Sequence, residues 1–143
     1  MFAPSQHDVR RFFCETHNKQ RQALPLTPME SLAAQWIAEH AEYHAELADV
    51  DAALAATYSV EEGRTNPFLH LSMHLTITEQ VAIDQPRGIK QAFDLLSARL
   101  GSSHRAQHRA MECLGEMIWT SQRSGLAPDG HAYLDCVRAC ATR

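Results

Sequence analysis

Apolar residues along the chain recur at helical spacing, and no stretch alternates apolar and polar residues for long enough to suggest a strand. Val9, Phe12, Phe13 and Thr16 fall on one face of a first helix. Ser5 precedes it as a cap, with Asp8 three residues on as its reciprocal partner. A second start is written as Thr27, Pro28 and Glu30: cap, first-turn proline and capping-box acid. The face that follows reads Met29, Ala33, Trp36, Ile37, His40, His44 and Leu47, and the period carries through Val50 and Leu54 towards a stop before Gly63.

Asn66 and Pro67 open a third helix whose residues Phe68, Leu69, Leu71, Met73, Leu75, Ile77, Val81 and Ile83 are apolar on nearly every side, which predicts a central position. Pro86 and Gly88 in "DQPRG" break it. A fourth helix runs from Ile89 through Ala92, Phe93 and Leu96 to Leu100 and ends at Gly101. Ser102 or Ser103 caps a fifth, with an inner face of His104, His108, Met111, Gly115, Ile118 and Gln122 before Ser124 and Gly125. A last helix spans about Asp129 to Ala141 and docks Tyr133, Leu134, Val137 and Cys140. The pattern predicts an all-α fold: one domain over residues 1–143, an up-and-down bundle of about five to six helices.

Composition narrows the classes without naming one. At 143 residues, 45% hydrophobic and 21% charged, the chain is sized for one domain with a core of its own. A formal charge of -4 gives no general pull towards nucleic acid or anionic membrane. Arg10, Arg11, Lys19 and Arg21 make the start basic, but no nucleic-acid motif accompanies them, so no nucleic-acid partner is expected. No apolar run is long enough to span a bilayer, and "MFAPSQHDVRRFF" lacks the order of a signal peptide, so a cytoplasmic protein without membrane contact is expected. Cys14, Cys113, Cys136 and Cys140 form no CxxC pair and read as small structural residues rather than disulfide or zinc partners.

The histidines change the picture. Nine occur, and three pairs stand four residues apart: His40 and His44, His70 and His74, His104 and His108. Random placement would give on the order of half a pair at that spacing. On a helix, residues i and i+4 share a face about 6 Å apart along the axis, so each pair can aim two imidazoles into one space. A single buried histidine commonly satisfies itself on a carbonyl or carboxylate. Six inward ones would each need such a partner, at roughly 1–3 kcal/mol for each that fails, whereas a metal takes up the acceptors together.

In an up-and-down bundle, His44, His70 and His104 would form one layer and His40, His74 and His108 the next, about one helical turn apart. Glu112 extends the third pair by another step in "HRAQHRAME" and is the first candidate carboxylate ligand; Glu79, Asp84 and Glu116 stay open as further members. Tyr43 and Tyr58 stand as candidate hydrogen-bond donors, or as ordinary half-buried aromatics. Imidazole-rich ligation points to a transition metal, iron first and zinc second, as one or two ions. The excess of histidine over carboxylate is similar in spacing to hemerythrin, and differs from the Glu-x-x-His sites of ferritin-like bundles. Dioxygen or peroxide is the small ligand this suggests.

The segments "TNPFLHLSMHLTITEQVAIDQPRGI" and "HRAQHRAMECLGEMIWTSQRSGLAPD", with "EHAEYH" upstream, resemble a bacterial family catalogued as domain of unknown function 1841. The resemblance covers most of Trp36 to Leu134 and implies a small cytoplasmic bacterial protein, without activity or ligand set. The leading expectation is therefore a metal-binding helical bundle. The alternative from another class is a non-catalytic interaction module that docks a protein partner through an apolar groove or the basic first helix. Homo-oligomerisation is left open by either.

Overall fold

The computed structural model describes residues 5–58 and 65–142. Among them every element is helical: α1 (Gln6–Arg21), α2 (Pro28–Ala38), α3 (His44–Ala48), α4 (Val50–Ala55), α5 (Pro67–Ile83), α6 (Ile89–Leu100), α7 (Ser103–Ser124) and α8 (Gly130–Thr142), with one 3-10 turn at Ala41–Tyr43. The all-α expectation holds, and the expected count of five to six helices is corrected to eight among the described residues. The excess arises because the second predicted helix divides into α2, the 3-10 turn, α3 and α4. Its expected stop before Gly63 lies outside the described residues. The chain resolves into two compact units, Met1–Leu75 and Thr76–Arg143, and α5 runs through the boundary.

In the first unit the expected caps form. The Ser5 hydroxyl accepts from Asp8 N while the Asp8 carboxylate accepts from Ser5 N, both at 3.1 Å. Thr27 and Glu30 make the same reciprocal pair at the start of α2. Phe13, Cys14, Ala33, Ile37, Tyr43, Leu47, Ala53, Phe68 and Leu71 form the core. Arg10, expected among the surface cations, is buried instead: its Nη1 donates to the carbonyls of Ala53 at 2.8 Å and Ala56 at 2.7 Å, satisfying the end of α4. Its guanidinium also lies over the Tyr58 and Phe68 rings. Lys19 pairs with Glu30 at 2.9 Å, so two of the four basic residues serve the unit internally.

The break after α2 has a local cause. A continuing helix would have Trp36 O and Ile37 O accept the N–H groups of residues 40 and 41. Here His40 Nδ1 lies 2.6 Å from Trp36 O, and His44 Nε2 lies 2.8 Å from Ile37 O. His40 itself sits at φ -125°, ψ 62°, outside the helical region. The His40 imidazole takes the Trp36 carbonyl, while Ile37 O accepts from both His40 N at 3.0 Å and the His44 ring, so the side chains close the end of the helix.

In the second unit α6, α7 and α8 pack on one another around Ile89, Phe93, Leu96, Met111, Leu114, Tyr133 and Val137. Asp84 Oδ1 accepts from Gly88 N and Lys90 N at 3.0 Å each, and so organises the turn into α6. Gly88 there takes φ +102°, and a Cβ would meet Arg138 Nη2 at 2.9 Å. Gln107 donates to Thr78 and Tyr133 donates to Gln80, tying the second half of α5 to α7 and α8. Two expectations are corrected here. The buried face of α7 is Ala106, Gln107, Ala110, Met111, Cys113 and Leu114, rotated away from the His108, Gly115 and Ile118 stripe. Cys113 and Cys136 are joined by a disulfide rather than standing as independent structural cysteines. No helix among the described residues is long and apolar enough to cross a membrane.

Candidate metal centre

α5 presents the first pair of rings because nothing interrupts it between cap and stop. Asn66 Oδ1 accepts from Phe68 N at 3.0 Å and Leu69 N at 3.1 Å, Pro67 fills the first helical position, and the helix continues for 17 residues. His70 and His74 therefore lie one turn apart on one face, with Nε2 of each 3.2 Å from the other. His74 is fully buried and half-exposed His70 closes over it, ring centroids 4.7 Å apart and nearly perpendicular. The Trp36 indole stacks on His74 at 4.0 Å, which locks that ring in plane and keeps water from its face.

His40 completes a group of three in this unit. Its centroid lies 5.0 Å from that of His70 and 4.9 Å from that of His74, and Tyr43 stacks on it at 5.3 Å. A carbonyl can only accept, so the contact with Trp36 O requires a proton on His40 Nδ1 and, in the neutral ring, a lone pair on Nε2. That is how a ligand histidine is usually oriented: one nitrogen donates outward to fix the tautomer and the other faces the ion. Burial, with the Glu42 and Glu46 carboxylates behind it, pushes the Tyr43 phenol up, so it keeps its proton beside these rings.

His44 does not join them. Its Nε2 donates to Ile37 O and its ring neighbours His17 at 4.9 Å. Desolvation lowers the His17 pKa, helped by His44 and Arg21, so His17 favours its neutral ring.

Over residues 5–139 the chain matches the family described as Domain of unknown function (DUF1841). It belongs to the DUF1841 family. No curated protein and no solved structure gives a match. The geometry of the DUF1841 chain must therefore speak for its chemistry.

In the second unit of the DUF1841 chain, His104 and His108 lie a turn apart on α7 with ring centroids 4.6 Å apart, His104 half-buried and His108 exposed. His104 and His108 carry ring nitrogens able to serve a metal ion, as do His40 and His74 within the first unit. Glu112 stands on the exposed side of α7 and pairs with Arg109. Glu116 is exposed as well, Glu79 is half-buried, and Asp84 is occupied with the backbone of the turn before α6. Tyr58 donates to Glu46 at 2.6 Å. The flanking roles of Trp36 and Tyr43 escape a search for ligand types, although Trp36 stands four residues before His40 on the same predicted stripe.

Proposed function

We propose that this DUF1841 protein binds a transition metal through histidine, with His40, His70 and His74 as ligands in the first unit and with the His104 and His108 pair of α7 as the start of a second ion's site. The observation that carries the reading is the 3.2 Å separation of the His70 and His74 Nε2 atoms. Two nitrogens bound to one tetrahedral ion at about 2.0–2.1 Å stand roughly 3.3 Å apart, so the pair already has ligand spacing. The approach of the His40 ring to His70 and His74, at 5.0 and 4.9 Å, supports it further. So does the backbone-fixed tautomer of His40.

Imidazoles with no carboxylate among them give a borderline site; iron is the first choice and zinc the second, as one or two ions. A bound iron centre supplies redox chemistry towards dioxygen or peroxide, in the manner that the likeness to hemerythrin suggests. The protein's own part is to shield the site with Trp36 and Tyr43 and to hold the rings in register. His44 and Glu112 are not needed by this reading.

Metal content of protein purified without a histidine tag tests it. Near-stoichiometric iron or zinc is expected, falling at least tenfold in a His70→Ala, His74→Ala double variant. Full retention of metal by that variant overturns the assignment. A wild-type chain that takes up neither metal, even when loaded under argon, returns the protein to the interaction-module reading.

A further inference from the structure

Apart from the histidines, α7 and α8 gather three of the four cysteines. Cys113 on α7 is bonded to Cys136 on α8, and Cys140 stands one turn further along α8 with a free, buried thiol. All three sulfurs lie within 4.8 Å of one another. A structural disulfide needs two cysteines. The third sulfur gives the group the makeup of a thiolate ligand set.

The surroundings fit a cation. Cys113 and Cys136 line a groove of about 490 Å³ whose walls include Glu116, Asp129 and Asp135, together with the Met117 thioether. Acidic walls concentrate cations at the mouth. The Arg99 guanidinium donates to the carbonyl of Cys140 and pins the backbone behind the third sulfur. Cys136 is half-buried whereas Cys113 is buried, so Cys136 presents the sulfur that a reductant reaches from the groove.

We propose that reduction of the Cys113–Cys136 bond by a dithiol opens a binding site for one thiophilic cation, copper(I) or zinc(II), held by the Sγ atoms of Cys113, Cys136 and Cys140. A thiolate of the reductant attacks Cys136 Sγ, the sulfur–sulfur bond breaks, and Cys113 leaves with the electron pair as a thiolate. The second reductant thiol then displaces Cys136 from the mixed disulfide, so that two electrons and two protons pass to the protein and the reductant becomes a disulfide. The incoming cation replaces the thiol protons, which go to solvent. Three thiolates at about 2.3 Å from one ion stand roughly 3.8 Å apart, so the cluster needs only side-chain rotation to form this site. The disulfide thereby acts as a gate, and the site shares no residue with the histidine centre.

The test uses the full chain with Cys14→Ala to remove the one remote thiol, in disulfide and phosphine-reduced forms under argon. Each form is titrated separately with buffered copper(I) and with zinc(II). The reduced form is expected to take one equivalent more than the disulfide form, with three thiols shielded from maleimide; the arm that shows it names the cation. Cys140→Ser, checked for unchanged helicity, is expected to weaken the extra site at least tenfold. Should that variant unfold, maleimide counting on the reduced Cys14→Ala chain decides, with three shielded thiols supporting the site. Equal uptake by both forms, full thiol reactivity with metal present, or an undiminished extra equivalent in folded Cys140→Ser overturns it.

Discussion

His70/His74 and His40/His44 have the same spacing in the sequence and very different fates. On α5 a capped, unbroken helix carries both rings to one face, and their Nε2 atoms come within 3.2 Å. At the end of α2 the rings of the other pair bind Trp36 O and Ile37 O, the helix stops, and His40 turns towards His70 and His74 while His44 turns towards His17. Spacing predicts shared geometry only where the helix runs through. On α5 both histidines are ligand candidates, whereas at the end of α2 both bind helix-end carbonyls and only His40 is also a ligand candidate.

Substitutions can break that contrast. The largest effect is expected from His74→Ala: at least a tenfold loss of bound metal, together with about 2–4 kcal/mol of stability from the cavity left against Trp36, read by metal analysis and denaturant unfolding. Asn66→Ala uncaps the helix that aligns the pair and should lower stability by about 1 kcal/mol; weaker metal binding alongside would tie the caps to the site. His44→Ala loses one carbonyl hydrogen bond, about 0.5–1 kcal/mol, and should keep its metal. If His44→Ala empties the site instead, the two pairs are equivalent after all and the contrast fails.

The smallest effect is proton-linked. Burial lowers the pKa of His17 in the folded protein, so the unfolded chain takes up the proton first. Stability from the neutral ring is complete above pH of about 6.5 and declines as the pH falls from there towards the lowered folded value. Thermal melts between neutral and mildly acid pH should show the decline, and His17→Asn should flatten it. An unchanged slope in that variant would assign the effect elsewhere.

Helix boundaries set by local chemistry were legible in the sequence. Ser5 with Asp8, Thr27 with Glu30, Asn66, Ser102, Gly101 and Gly125 all cap where a residue-by-residue reading puts them, because a cap needs only its own few neighbours. The break at His40 was not legible. Periodicity continues smoothly through it, and the binding of two carbonyls by imidazole side chains leaves no mark on hydrophobic spacing. On α7 the small residues Ala106 and Ala110 set the buried face, a weaker signal than the histidine stripe beside it. The partner of Cys113 lies 23 residues away, beyond any local pattern. For the candidate site, the clustering of histidines was readable in the spacing of the pairs, whereas the separate path of His44 and the exposed setting of Glu112 depend on side-chain contacts.

X-ray absorption at the zinc edge, on disulfide-intact protein loaded with one equivalent, tests the histidine centre most directly. The predicted spectrum has a shell of nitrogens at about 2.0–2.1 Å with the multiple scattering of at least three imidazole rings. A shell dominated by sulfur or by carboxylate and water oxygen, without imidazole scattering, would contradict it.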